Sequence, residues 1–336
     1  MLAGIQDVRR PEARAPAVRL VKGDGMTRLV TAAALSACLW AAPAWGQQVF
    51  RSGVETVRLG VAVVDKAGQP VGTLGQEDFT VLEDGHPQEV QLFAPGDIQD
   101  TERPPLHIGL LFDTSGSMAA DLPLARSAAV KFCNMLQRAE DITLVDFDTE
   151  VRVARFGAAD FPRFVERLRN RKPEGWTALY DALGVYLDGT AFQAGEKILV
   201  AYTDGGDTRS VMSFSDALTA LKASDVTVYV VGFLENQGAR EKLEQRIRLS
   251  QLAEATGGLA FFPATKADID EAYGQVTSDV TSRYLIGYVS SNQANDGRWR
   301  KLDVRLNRPD LKAAKIRSRK GYYALMRPEP VAARQQ

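Results

Sequence analysis

The sequence predicts an α/β protein: a doubly wound, mostly parallel sheet covered by helices on both faces and flanked in the chain by N- and C-terminal β segments that join into one β-sandwich. Three observations carry that prediction. Continuous apolar runs of strand length stand at 107–112 (HIGLLF), 197–202 (KILVAY) and 226–232 (VTVYVVG), as expected of strands buried on both faces. Apolar residues at helical spacing lie between them, such as Leu122, Ala125, Ala129, Phe132 and Leu136, and strands alternating with helices argue for a parallel sheet. Period-two alternation takes over toward the ends, at Val57, Leu59, Val61 and Val63 and again at Leu302, Val304 and Leu306.

Residues 1–46 read as a secretory signal with an upstream lead. A start at Met1 or Met26, a basic Arg28, an apolar run over 29–40 and a small-x-small site at Ala44-Trp45-Gly46 predict cleavage after Gly46 and a secreted or periplasmic protein. A rival reading takes Leu35-Ser36-Ala37-Cys38 as a lipobox, which makes Cys38 a lipid anchor. No later apolar run has the length of a membrane helix.

Residues 47–97 are expected to form a small β module. It has a turn at Asp65-Lys66-Ala67-Gly68 and a hairpin of strands 79–83 and 88–93 around Asp84-Gly85. A linker rich in proline and acids follows at 98–104. The α/β domain spans 105–283. After the strand at 107–112 come a helix to Leu136, strands 142–147 and 151–156 around Asp148-Thr149-Glu150, and helices at 161–168 and 177–187. The strand at 197–202, a helix at 215–223, the strand at 226–232, a helix at 245–255, a strand at 259–262 and a helix at 268–283 complete it. A C-terminal β segment at 284–325 contains strands at 284–289 and 302–306, with a turn at Asn295-Asp296-Gly297, before a loose tail at 326–336. Each terminal β segment alone has too few apolar positions for a core, so residues 50–97 and 284–324 are expected to pack together.

Composition narrows the chemistry. The chain has 336 residues, 45% hydrophobic and 25% charged, with a formal charge of −1, which gives no global positive field for nucleic acid. Two cysteines build no disulfide framework, and two histidines leave little for a histidine-rich zinc site or a Ser-His-Asp hydrolase. Metal chemistry in this chain must run mainly on oxygen.

Oxygen ligands concentrate in three loops. The first buried strand runs into Asp113-Thr114-Ser115-Gly116-Ser117, whose carboxylate and two hydroxyls can converge on a hard cation such as Mg²⁺. The loop lacks the Gly-Lys-Ser/Thr ending of a Walker A motif and the three spaced glycines of a dinucleotide fingerprint. Gly175-Trp176-Thr177 opens a helix with a threonine, and Tyr202-Thr203-Asp204-Gly205-Gly206-Asp207 leaves another buried strand with an aspartate. In a doubly wound sheet ligands bind at the carboxyl ends of the strands, near the switch point, which is where these loops fall.

The three loops, in this order, resemble the metal-ion-dependent adhesion site (MIDAS) of von Willebrand factor type A (VWFA) domains. The resemblance covers roughly residues 105–283 and implies that Asp113, Ser115, Ser117, Thr177 and Asp204 are metal ligands, with 151–156 as an antiparallel edge strand. Trp176 stands where a second glycine is more usual. The flanks at Asp78–Gly85, Tyr284–Tyr288 and Arg319–Tyr323 are similar to those of the bacterial secreted VWFA-related proteins.

The expected function is a non-enzymatic extracytoplasmic adhesion or protein-binding module. It holds a divalent cation, Mg²⁺ before Mn²⁺ or Ca²⁺, whose open position takes an acidic side chain of a protein partner. Two alternatives stay open: a metal-dependent hydrolase, for which Asp207 is the one base to nominate, and a cation-independent scaffold. Asp207 is a candidate to orient a metal-bound water, or else a turn residue capping the next element. Asp148 is expected to be a turn residue, His86 solvated, His107 a satisfied structural histidine and Cys133 an inert buried thiol. The basic run of Arg298, Arg300, Lys301, Arg305, Arg308, Lys312, Lys315, Arg317, Arg319 and Lys320 reads as a solvated strand face, with an acidic partner as the alternative.

Overall fold

Period-two alternation at the start of the ordered chain becomes β1 (Thr56–Val64), with Val57, Leu59, Val61 and Val63 buried. The computed structural model describes residues 56–96, 103–135 and 139–324. The leader with Gly46 and Cys38, most of the linker and the C-terminal tail lie outside the described residues.

β2 (Phe79–Glu83) turns through Asp84 and Gly85, both at positive φ (49° and 86°), the geometry a tight Asp-Gly hairpin requires. Its partner is β3 (His86–Gln88), paired Val81 to Gln88 and Glu83 to His86. The expected single strand over 88–93 is in fact broken. β4 (Val90–Ala94) leaves that sheet and joins the opposite one. The break lets Phe93 pack against Phe79 and Tyr284, with ring centroids 5.8 and 5.9 Å away.

The central domain begins with β5 (Leu106–Asp113), buried along its whole length, and α1 (Leu122–Met135). Then come β6 (Ala139–Phe147), β7 (Val151–Gly157), α2 (Phe161–Asn170), α3 (Leu179–Thr190) and β8 (Glu196–Thr203). α4 (Phe214–Ala223), β9 (Val226–Gly232), α5 (Ala239–Ala255), the short β10 (Ala260–Phe261) and α6 (Lys266–Ser282) close it. The six strands lie in the order β10-β9-β8-β5-β6-β7, parallel except for the antiparallel edge strand β7.

Alternate residues of β5 feed two cores. Leu110 and Phe112 pack with Ala129, Phe132 and Val276 from α1 and α6, while Leu111 packs with Leu183, Ala217 and Leu252 from α3, α4 and α5. Gly109 is needed on β5 because a Cβ there would lie 2.3 Å from the ring of Tyr186. Cys133 is buried in the first core, where desolvation raises its thiol pKa and leaves it inert. His107 bonds Asp141 (3.2 Å) and the Ala194 carbonyl (2.8 Å), the structural role expected of it, and His86 is exposed.

After α6 the chain returns to β structure: β11 (Tyr284–Val289), β12 (Trp299–Leu306), β13 (Lys315–Arg317) and β14 (Gly321–Tyr323). The two ends interleave. One sheet is β13-β1-β11-β4 and the other β14-β12-β2-β3, so each draws strands from both termini and they share the core of Leu59, Val61, Val81, Ile286 and Val304. The Asn295–Gly297 turn therefore carries the chain between sheets instead of closing a hairpin. Arg300 departs from the expected solvated face: it is buried and pairs with Asp296 at 2.9 Å. Lys301 and Arg305 are exposed, as expected.

Glu83 pins the two sheets. Its buried carboxylate accepts from the hydroxyls of Tyr288 (2.7 Å), Tyr322 (2.8 Å) and Ser290 (2.6 Å). Glu83→Ala leaves buried donors unpaired and is expected to destabilise the chain by roughly 2–4 kcal/mol, with Glu83→Gln costing less, as read from urea unfolding midpoints.

Candidate metal centre

The order of the sheet decides where the site forms. The chain builds outward from β5 to β6 and β7, then returns to the other side of β5 for β8, β9 and β10. The loops leaving β5 and β8 thus emerge side by side at the switch point. Asp113 ends β5 and Asp204 follows the last residue of β8.

Asp113 is fully buried. Its Oδ1 accepts from the backbone N–H of Ser115 (2.9 Å) and its Oδ2 from the hydroxyl of Thr203 (2.6 Å). Thr203 Oγ1 also accepts from the N–H of Gly205 at 2.9 Å, so one hydroxyl joins the first loop to the third. The hydroxyls of Ser115 and Ser117 lie 3.1 Å apart; Ser115 is buried and Ser117 opens to solvent.

The second loop is held from three sides. Gly175 sits at φ 71°, its carbonyl accepts from Gly116 N–H (3.2 Å), and Glu174 N–H donates to the Thr114 carbonyl (2.9 Å). Trp176 N–H donates to the hydroxyl of Thr149 (2.9 Å) and Ala178 N–H to the Asp148 carbonyl (3.0 Å). Thr177 N–H donates to Thr208 Oγ1 (3.1 Å), and the Thr177 carbonyl accepts from Thr208 N–H (2.9 Å). This lattice fixes the Thr177 backbone without using its hydroxyl, while Asp204 Oδ1 accepts from Gly206 N–H at 3.3 Å.

Asp207 has a different task. Its carboxylate accepts from Tyr180 N–H (3.0 Å), Ser210 N–H (3.2 Å) and the Ser210 hydroxyl (2.6 Å), so it caps the start of α3 from across the loop. The element it caps is the preceding helix, not the next one, and no contact of its carboxylate with Asp113 or Asp204 is formed. Asp148 is a turn residue as expected, paired with Arg152 at 2.9 Å.

Electrostatics single out the pair of Asp113 and Asp204. Burial first, and the nearby Asp204 carboxylate second, raise the pKa of Asp113 to about 7. Among the described residues neither carboxylate forms an ion pair with a lysine, arginine or histidine. Two carboxylates and the hydroxyls of Ser115, Ser117 and Thr177 make an all-oxygen donor set with uncompensated negative charge, and this fits a hard divalent cation. Among the described residues no group of three or more histidine, cysteine or acidic side chains is placed to hold a metal.

Ser117, Thr177 and Asp204 line one side of an open cleft of about 570 Å³. Trp176, 64% exposed, forms its rim, and Gln237 and Glu241 face them. Gln237 donates to the Asp204 carbonyl at 2.7 Å. Thr203, Thr208, Thr149 and Gln237 escaped the sequence reading; only the hydroxyl of Thr203, directly before Asp204 at the end of a buried strand, gave a local hint.

Comparison with curated proteins finds no match. Among solved structures, the chain is similar to the PilB minor pilin of Streptococcus sanguinis (14% identity, 55% of this chain, TM-score 0.44) and spans 63% of that protein's length. It is also similar to the von Willebrand factor domain of the type V pili tip protein Mfa5 of Porphyromonas gingivalis (13% identity, 52% of this chain and 94% of that one, TM-score 0.42). A von Willebrand factor type A protein of Catenulispora acidiphila aligns over 82% of this chain and 74% of its own, at 13% identity and TM-score 0.43. The family rests on the sequence itself rather than on these distant likenesses. Residues 107–275, half of the chain, match the von Willebrand factor type A domain model, and the chain belongs to that family.

Proposed function

We propose that this protein is an extracytoplasmic adhesion or protein-interaction module that binds an acidic side chain of a partner through a divalent cation held by Asp113, Ser115, Ser117, Thr177 and Asp204. The observation that carries the reading is the buried Asp113 carboxylate, pushed up to about 7 by burial and by Asp204, which itself lines the open cleft, with no positive side chain paired to either. Bound there, a cation such as Mg²⁺ supplies one open coordination position to a carboxylate oxygen. The chain's own residues do the rest. Thr203 and Ser115 N–H orient Asp113, Gln237 fixes the backbone at Asp204, and Trp176 offers an exposed ring beside the site, the kind of side chain that anchors protein interfaces.

A hydrolase needs a free base near the cation. Asp207, the one candidate, spends its carboxylate on Tyr180 and Ser210, which favours the binding reading. A pull-down from the native extracytoplasmic fraction tests it. A partner retained in Mg²⁺, released by chelator and missed by Asp204→Ala is the expected result. Retention that ignores both chelator and substitution would instead favour a cation-independent scaffold.

A further inference from the structure

The β-sandwich and the central domain meet along a seam that gathers buried positive charge. A cavity of about 30 Å³ lies in it, and its charged walls are Arg58, Arg103, Lys197 and Arg283 against Glu196 and Asp225. Three of the four cations are cut off from water: the side chains of Arg103, Lys197 and Arg283 are 1%, 3% and 4% exposed. Each has its own partner, Arg103 with Glu196 at 2.7 Å, Lys197 with Asp225 at 2.6 Å and Arg283 with Asp279 at 3.1 Å. Arg317 from β13 also reaches Asp279, so that carboxylate serves two guanidinium groups.

Arg58 is left over. Its Nε is buried with no hydrogen-bond partner, although the residue lines the cavity. Among the described residues, the cavity's Arg58, Arg103, Lys197 and Arg283 are answered by Glu196 and Asp225 in its walls and by Asp279 beside it, which Arg283 shares with Arg317. An excess of positive charge at a partly dry interface is costly, and an unpaired buried donor adds to that cost.

We propose that this cavity is a binding site for one small monovalent anion of the halide class, chloride in practice, which accepts from Arg58 and offsets the excess charge of the seam. Size sets the class. About 10–15 Å³ admits one water-sized sphere, so a space of about 30 Å³ has room for a single small ion. The site joins the two lobes, since Arg58 belongs to β1 of the sandwich while Lys197 belongs to β8 of the central sheet.

Thermal unfolding of the protein in sodium chloride and in sodium gluconate at equal ionic strength tests the proposal. The expected result is a Tm about 2–4 °C higher in chloride, reproduced by bromide and not by sulfate. The difference should vanish in Arg58→Met and shrink in Arg58→Gln. A bromide-soaked crystal should show an anomalous peak in the cavity. Equal Tm values for the wild type in chloride and gluconate, a chloride effect that survives Arg58→Met, or a cavity holding only water would overturn it. Should Arg58→Met fail to fold, the wild-type salt comparison and the bromide crystal still decide.

Discussion

Asp113→Asn is expected to make the cation-free protein more stable than the wild type at pH 8 and to abolish its stabilisation by a divalent cation. The carboxylate has a pKa of 3.8 when unperturbed and about 7 in the fold. Between those values the native state holds a proton that the unfolded chain has released, so cation-free stability falls as pH rises through this window and is flat above it. The penalty is on the order of 2–4 kcal/mol at pH 8. Asparagine removes the charge and keeps an acceptor for Ser115 N–H, at the smaller cost of leaving the Thr203 hydroxyl proton without its carboxylate. Urea unfolding with chelator at pH 5 and pH 8 checks the sign: the variant's advantage should widen with pH. A wild type that gains on the variant between pH 5 and pH 8 would contradict the assignment.

Asp279→Ala is expected to be among the most destabilising single changes, at about 3–5 kcal/mol. Asp279 is 5% exposed on α6 and accepts from Tyr229, Arg283 and Arg317, which come from the central sheet, the seam and the sandwich. Removing it strands the Arg283 guanidinium in a site that is 4% exposed. Arg283 retains the carbonyls of Gly60 (3.2 Å) and Gly257, but no carboxylate. Replacing both partners, Asp279→Leu with Arg283→Met, should recover part of the loss, because two apolar groups need no pairing. Denaturant midpoints of the two singles and the double give the coupling. Additive losses would mean that the pair does not act as a unit.

The parts of this molecule legible in the sequence are those whose signal is local. Leu110, Leu111 and Phe112 announce a strand buried on both faces because no polar residue interrupts them, and the same holds for Ile198–Tyr202. The loop aspartates were legible because Asp113 and Asp204 directly end such strands. α5 was found only from Gln245 onward. Its first turns expose Arg240, Glu241, Leu243 and Glu244, which leaves no apolar stripe to read. The division of 86–94 between two sheets was hidden because both pieces carry strand-like residues, while Phe93 packs on Phe79 and on Tyr284, the latter far away in the chain. Thr203 on Asp113, Asp207 on Tyr180 and Arg317 on Asp279 were hidden for a related reason: polar side chains find partners through the fold, and spacing along the chain carries no trace of them.

The claim that organises these observations is that Asp113 and Asp204 share a divalent cation. Calorimetric titration of Mg²⁺ or Mn²⁺ into the chelator-stripped protein, beside Asp113→Ala, tests it most directly. One site per chain is expected, with heat that disappears in the variant. No binding heat in the wild type, or the same heat in both proteins, would contradict it.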